Sequence, residues 1–79
     1  MKQIRVVDKQ SPLYADFEQL YRISFPIFEQ RTEEQQLLAF SSPSYHLVAY
    51  VEDGTFVGFI AYWEFTHYLY IEHFAIHTD

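Results

Sequence analysis

Glu72 and the four histidines, His46, His67, His73 and His77, are the first side chains in this sequence to invite chemistry. His73 and His77 stand four apart, the separation of a helical zinc pair. They fall, however, in Tyr68–Ile76 and just past it, a run rich in β-formers, and four residues of strand span about 13 Å, too far for two ligands of one ion. No metal site is expected. Glu72 lies between Ile71 and Phe74, and strict strand alternation would put Tyr70, Phe74 and Ile76 on its face, with His73 on the other. A carboxylate among aromatics holds its proton more tightly and can act as a general base. Two other readings stay open: the face is exposed, or Glu72 pairs across strands with another polar group.

Tyr45, Tyr50, Tyr62, Tyr68 and Tyr70 could position a substrate or donate a proton, or simply combine core packing with a surface hydroxyl. No Ser-His-Asp set is recognisable. Gly54 and Gly58 are the only glycines, so there is no glycine-rich phosphate loop.

Positioning these groups falls to a chain of 79 residues with no cysteine, which suffices for one domain, residues 1–79, and offers no disulfide or thiolate metal staple. One Trp, seven Tyr and eight Phe supply core bulk instead. Five Lys plus Arg face eleven Asp plus Glu, a formal charge of −6. The five cations, Lys2, Arg5, Lys9, Arg22 and Arg31, are scattered, and none follows Arg31, so no nucleic-acid partner is expected. The longest apolar run, Phe56–Trp63, has eight residues, far below a membrane span. The polar start, Met1-Lys2-Gln3-Ile4-Arg5, does not read as a secretion signal. A soluble cytoplasmic protein is expected.

The periodicity gives β-α-α-β-β-β. Lys2–Val7 suits a short strand. Ser11-Pro12 reads as a helix start, serine capping free amides and proline needing none. Leu13, Phe17, Leu20 and Ser24 then fall on one stripe, widened by Tyr14 and Tyr21, and Pro26 ends the helix near Ser24. Thr32-Glu33-Glu34-Gln35 is a capping box that opens a second helix through Phe40. Tyr45–Glu52 and Phe56–Phe65 flank Asp53-Gly54, a strong hairpin signal, and Tyr68–Ile76 returns after Thr66-His67. Gly58 inside a strand predicts a bulge or a close backbone approach. The fold class is α+β: an antiparallel meander with two helices on one face.

That order, the Ser24-Phe25-Pro26 break, the Asp53-Gly54 hairpin followed by Phe56-Val57-Gly58-Phe59-Ile60, and the strand Tyr70-Ile71-Glu72-His73-Phe74-Ala75-Ile76 together resemble the N-terminal half of a GNAT-family N-acetyltransferase. The resemblance covers nearly the whole chain and implies acetyl transfer from acetyl-CoA to a primary amine. It implies that the backbone of Phe74, Ala75 and Ile76 pairs with the pantetheine arm of acetyl-CoA, and that Glu72 is the general base. It implies that Phe25, Ile27, Phe28 and Glu29, between the helices, wall the acceptor site, where an acidic and aromatic lining would suit a cationic amine. The family's Arg/Gln-x-x-Gly-x-Gly/Ala loop after the fourth strand, which cradles the cofactor pyrophosphate, is not found; the chain stops at His77-Thr78-Asp79, where it would begin. A truncated N-terminal portion, inactive by itself, is therefore expected. Its partner would be a missing C-terminal half or a second copy. A reading of another class is a non-catalytic module that dimerises through its aromatic sheet face or its fourth-strand edge.

Overall fold

The computed structural model describes residues 1–77. Four strands, β1 (Lys2–Arg5), β2 (Tyr45–Glu52), β3 (Thr55–Glu64) and β4 (Leu69–Ile76), form one sheet in the order β1-β2-β3-β4. Every neighbouring pair is antiparallel. Two helices, α1 (Tyr14–Ser24) and α2 (Glu33–Phe40), are joined by a segment holding a 3₁₀ turn over Ile27–Glu29.

Local chemistry accounts for most boundaries. Asp53 and Gly54 both take positive φ, 50° and 78°, as a tight hairpin turn between β2 and β3 requires. Thr32 and Gln35 close the capping box in both directions, at 2.8 and 3.1 Å. Phe25 before Pro26 is extended and ends α1. The start of α1 departs from expectation. Ser11-Pro12 does not open it; two successive turns bring the chain round first, with the Asp8 carboxylate accepting from the Gln10 amide and the Ser11 carbonyl from the Tyr14 amide. The helix begins only at Tyr14, with no side-chain cap. β1 stops at Arg5, although the Val6 amide still donates to Leu47 O at 2.8 Å.

The core lies between the helices and one sheet face. Tyr14, Phe17, Leu20 and Tyr21 of α1 and Ala39 of α2 meet Tyr45, Leu47, Ala49, Phe59, Ala61 and Ala75 of the sheet. The Phe17 ring stands edge-on to Phe59 with centroids 4.7 Å apart, the arrangement the ring quadrupoles favour. The opposite sheet face carries Tyr50, Val57, Phe74 and Ile76 around an open apolar depression of about 370 Å³.

Two irregularities shape β3 and β4. Tyr50 pairs with Gly58 but Val51 with Phe56, so Val57 is an extra residue beside Gly58. A Cβ on Gly58 would sit 2.6 Å from the Ala75 carbonyl oxygen. Both readings of that glycine, bulge and close approach, therefore hold. In the second irregularity Ala61 pairs with His73 and Tyr62 with Ile71, which leaves Glu72 as the extra residue. This bulge overturns the strict alternation expected for β4. Glu72 does not share a face with Phe74 and Ile76 opposite His73; Glu72 and His73 both reach the segment that joins the helices.

Candidate functional site

The bulge delivers Glu72 to a polar cluster beneath the start of α2. Its Oε1 accepts from the Trp63 indole Nε1 of β3 at 2.8 Å and pairs with Arg31 Nη2. Both bonds favour the carboxylate anion, so the purely aromatic setting expected for Glu72 is replaced by a cation and a donor. The reading in which Glu72 pairs across strands is the one realised, through Trp63. Its side chain is 25% exposed, so it remains reachable from solvent.

The resemblance implies that Arg31 ends the segment walling the acceptor site; its pairing with Glu72 is what sequence reasoning missed. Arg31 directly precedes the capping box, and nothing in its local pattern separates it from a solvated cation. In the fold its side chain is only 11% exposed. Its Nη1 donates to Gln36 Oε1 at 3.2 Å, and its guanidinium carbon lies 5.1 Å from the Tyr45 ring centroid. Gln36, buried on α2, donates in turn to the Tyr45 hydroxyl at 3.1 Å. Burial pushes the Tyr45 phenol up from its ordinary value, against the opposing pull of Gln36 and Arg31. Tyr45 and Trp63 pack with centroids 5.0 Å apart, completing the circle.

His73, the next residue along, holds the other end of the same segment. Its ring is wedged between Tyr21 and Phe25, at 4.9 and 4.7 Å, and the residue is 6% exposed. Nε2 lies 3.3 Å from the Glu29 carbonyl, an acceptor, so the neutral tautomer carries its proton there. Nδ1 is then a buried acceptor with no partner among the described residues. Desolvation drives the imidazole below its ordinary value, only partly offset by the Glu29 carbonyl.

The segment between the helices divides in two. Phe25 turns into the core beside His73, whereas Ile27 and Phe28 are 80% and 84% exposed. Glu29 is exposed and engages His73 through its carbonyl, not its carboxylate. Gln30 fastens the segment to α1 by donating to the Phe25 and Arg22 carbonyls at 2.7 and 3.1 Å. The Arg31 amide donates to the Tyr21 hydroxyl at 2.7 Å. Ile27 and Phe28 therefore project from a tethered base.

At the far end of β4 the backbone groups divide between a paired and an unpaired side. The His77 amide donates inward to Val57 O at 2.9 Å, and Ala75 turns its carbonyl toward Gly58. Because backbone groups alternate sides along a strand, Phe74 and Ile76 direct theirs outward. Among the described residues no strand pairs with that edge. Ala75 supplies the spacing between Phe74 and Ile76.

Three comparisons bear on this arrangement. The sequence profile of the Acetyltransferase (GNAT) family matches residues 13–79. A solved structure from Bacteroides thetaiotaomicron, assigned to the GNAT family of acetyltransferases, is similar over 99% of this chain with a TM-score of 0.86 and 28% sequence identity. The chain spans 45% of that structure's length. Among curated proteins none matches it by sequence. No helix among the described residues is long and apolar enough to cross a membrane. With the family profile extending from the start of α1 through β4, and the fold shared with a solved relative, the chain belongs to the GNAT family of acetyltransferases.

Proposed function

We propose that this chain supplies the acceptor side of an acetyl-CoA-dependent N-acetyltransferase acting on a primary amine, with Glu72 as general base. The observation that carries this reading is the Glu72 carboxylate, delivered by a bulge on the strand whose outer edge is open at Phe74 and Ile76. Among the described residues both bonds to Glu72 fall on Oε1, which leaves Oε2 to accept a proton from the ammonium form of the acceptor, directly or through one water. Phe74 and Ile76 would hold the pantetheine arm by strand-like pairing, with Ala75 setting their separation. Phe25 backs the acceptor wall from the core, and Ile27, Phe28 and Glu29 form its surface. Acetyl-CoA, when bound, supplies a thioester acyl group for the deprotonated amine.

The 79 residues contain no glycine-rich phosphate loop and no cation after Arg31. We therefore expect the chain to hold acetyl-CoA no more tightly than S-acetylpantetheine, and to transfer acetyl groups poorly by itself. Titration of the labelled protein with S-acetylpantetheine should shift the Phe74 and Ile76 amide resonances selectively. Shifts confined to other strands would overturn the assignment of the edge. Calorimetry showing strong binding of acetyl-CoA that is lost when the pyrophosphate is removed would overturn the expectation of weak binding.

A second reading is favoured by one observation: Tyr70, Ile71, Phe74 and Ile76 are each more than half exposed on an edge strand. Such a surface suits a two-fold dimer formed through the edge or through the uncovered sheet face. Light scattering that shows a stable monomer at high protein concentration would dismiss it.

A further inference from the structure

We infer that Arg31 and Trp63 are positioning residues that fix the Glu72 carboxylate by one oxygen and so present the other to the acceptor amine; this rests on the reading of Glu72 as the base. A glutamate on a strand has three free torsions, and an unanchored one sweeps a wide arc. Here two donors from different elements converge on Oε1: the rigid indole of β3 and the guanidinium at the entrance to α2. With Oε1 held from two directions, the carboxylate plane and the direction of Oε2 are set together.

Arg31 is itself held. Its amide donates to the Tyr21 hydroxyl, its Nη1 to Gln36, and its flat face covers Tyr45. A guanidinium suits this part because its fork reaches Glu72 and Gln36 at once while its face stacks on a ring; an ammonium supplies a single point of charge. Being almost wholly covered, Arg31 serves as an internal counter-charge, not as a docking point for an anionic group of the substrate.

Trp63 is the only tryptophan, so its emission reports directly on this cluster. The groups that face Glu72 are Arg31, Trp63, and the Tyr45 phenol behind them, while His73 lies next to it in the chain. The experiment is an acid titration of Trp63 fluorescence in the intact protein, in wild type and in Arg31→Met, Arg31→Lys and Glu72→Gln variants, with circular dichroism to verify folding. Glu72→Gln should abolish the acid transition. Arg31→Met should move it to higher pH, because removing a neighbouring cation disfavours the anion. Arg31→Lys should fall between, and it stands in for Arg31→Met if that variant does not fold. An unchanged midpoint in the folded Arg31 variant, or a transition that survives in Glu72→Gln, overturns the inference.

Where acetyl transfer is measured, Arg31→Met should lower kcat by about 10²-fold, the scale of a misplaced catalytic group, with the KM for amine nearly unchanged. Full kcat in Arg31→Met overturns the positioning role. Full activity in Glu72→Gln instead overturns the base assignment while leaving the fluorescence result intact, so the two failures are distinguishable.

Discussion

Replacing Gly58 by alanine tests the tightest backbone contact in the sheet. The added Cβ would stand 2.6 Å from the Ala75 carbonyl oxygen, 3.1 Å from Ile76 Cα and 3.2 Å from Ile76 Cγ1, whereas ordinary contact starts near 3.4 Å. Two of the three neighbours are backbone, so no flexible side chain can yield. Relief requires β3 and β4 to part by about 0.8 Å at this point, judged from those same distances. The adjoining bond from the His77 amide to Val57 O, now 2.9 Å, would open to about 3.7 Å, beyond hydrogen-bonding reach. Overpacking of this kind costs about 1–3 kcal/mol. A chain of 79 residues has a total stability of about 4–12 kcal/mol. The melting temperature should fall by about 4–8 °C for each kcal/mol lost. Thermal denaturation followed by circular dichroism measures the loss, and amide exchange at His77 locates it. Since Phe74 and Ile76 lie on the displaced stretch, their response to S-acetylpantetheine should weaken in step. A Gly58→Ala protein as stable as wild type, with His77 equally protected, would refute the close-approach argument. Gly54→Ala is the contrasting control: its Cβ meets nothing within 4 Å, and its positive φ strains only the hairpin, leaving His77 protection untouched.

Phe17→Ala removes the ring at the centre of the core, where it packs on Phe59, Tyr14 and Tyr21. A loss of about 3–5 kcal/mol is expected, a large share of the total, and a denaturant midpoint within error of wild type would contradict the assigned core. His73 has a folded-state value below the usual 6.5, so the unfolded chain binds its proton first. Its contribution is fully present above pH 6.5, is lost as pH falls from there to the folded-state value, and then levels off. Urea midpoints across this range should decline less steeply in His73→Phe, and an unchanged slope would remove His73 from the account.

Much of the architecture was legible because its causes are local. Asp53-Gly54, the Thr32–Gln35 box and the residue before Pro26 each act within four positions, and each appears where the sequence places it. The Ser11-Pro12 start is displaced for an equally local reason: the Ser11 hydroxyl does accept from the Leu13 amide, but the Ser11 carbonyl accepts from Tyr14 in a tight turn, and the helix proper begins only there. The faces of β4 failed for a different reason. Alternation assumes unbroken register, and one extra residue moved Glu72 to the side that His73 already occupied.

By itself the sequence determined the order of elements, the need for Gly58, a carboxylate on the last strand, and a helix stripe through Phe17 and Leu20 widened by Tyr14 and Tyr21, though Ser24, expected on that stripe, is exposed. Only the tertiary structure decided what that carboxylate is. Arg31 lies forty-one positions from Glu72 in the chain, and Trp63 nine. No periodicity or spacing joins them, because their meeting depends on the register of β3 against β4 and on where α1 sets down the segment that leads into α2. Local patterns choose conformations, whereas ion pairs at long separation are chosen by packing. Hence Glu72, for which the pattern left an aromatic setting, an exposed face and a cross-strand partner all open, is found held at one carboxylate oxygen by Trp63 and Arg31.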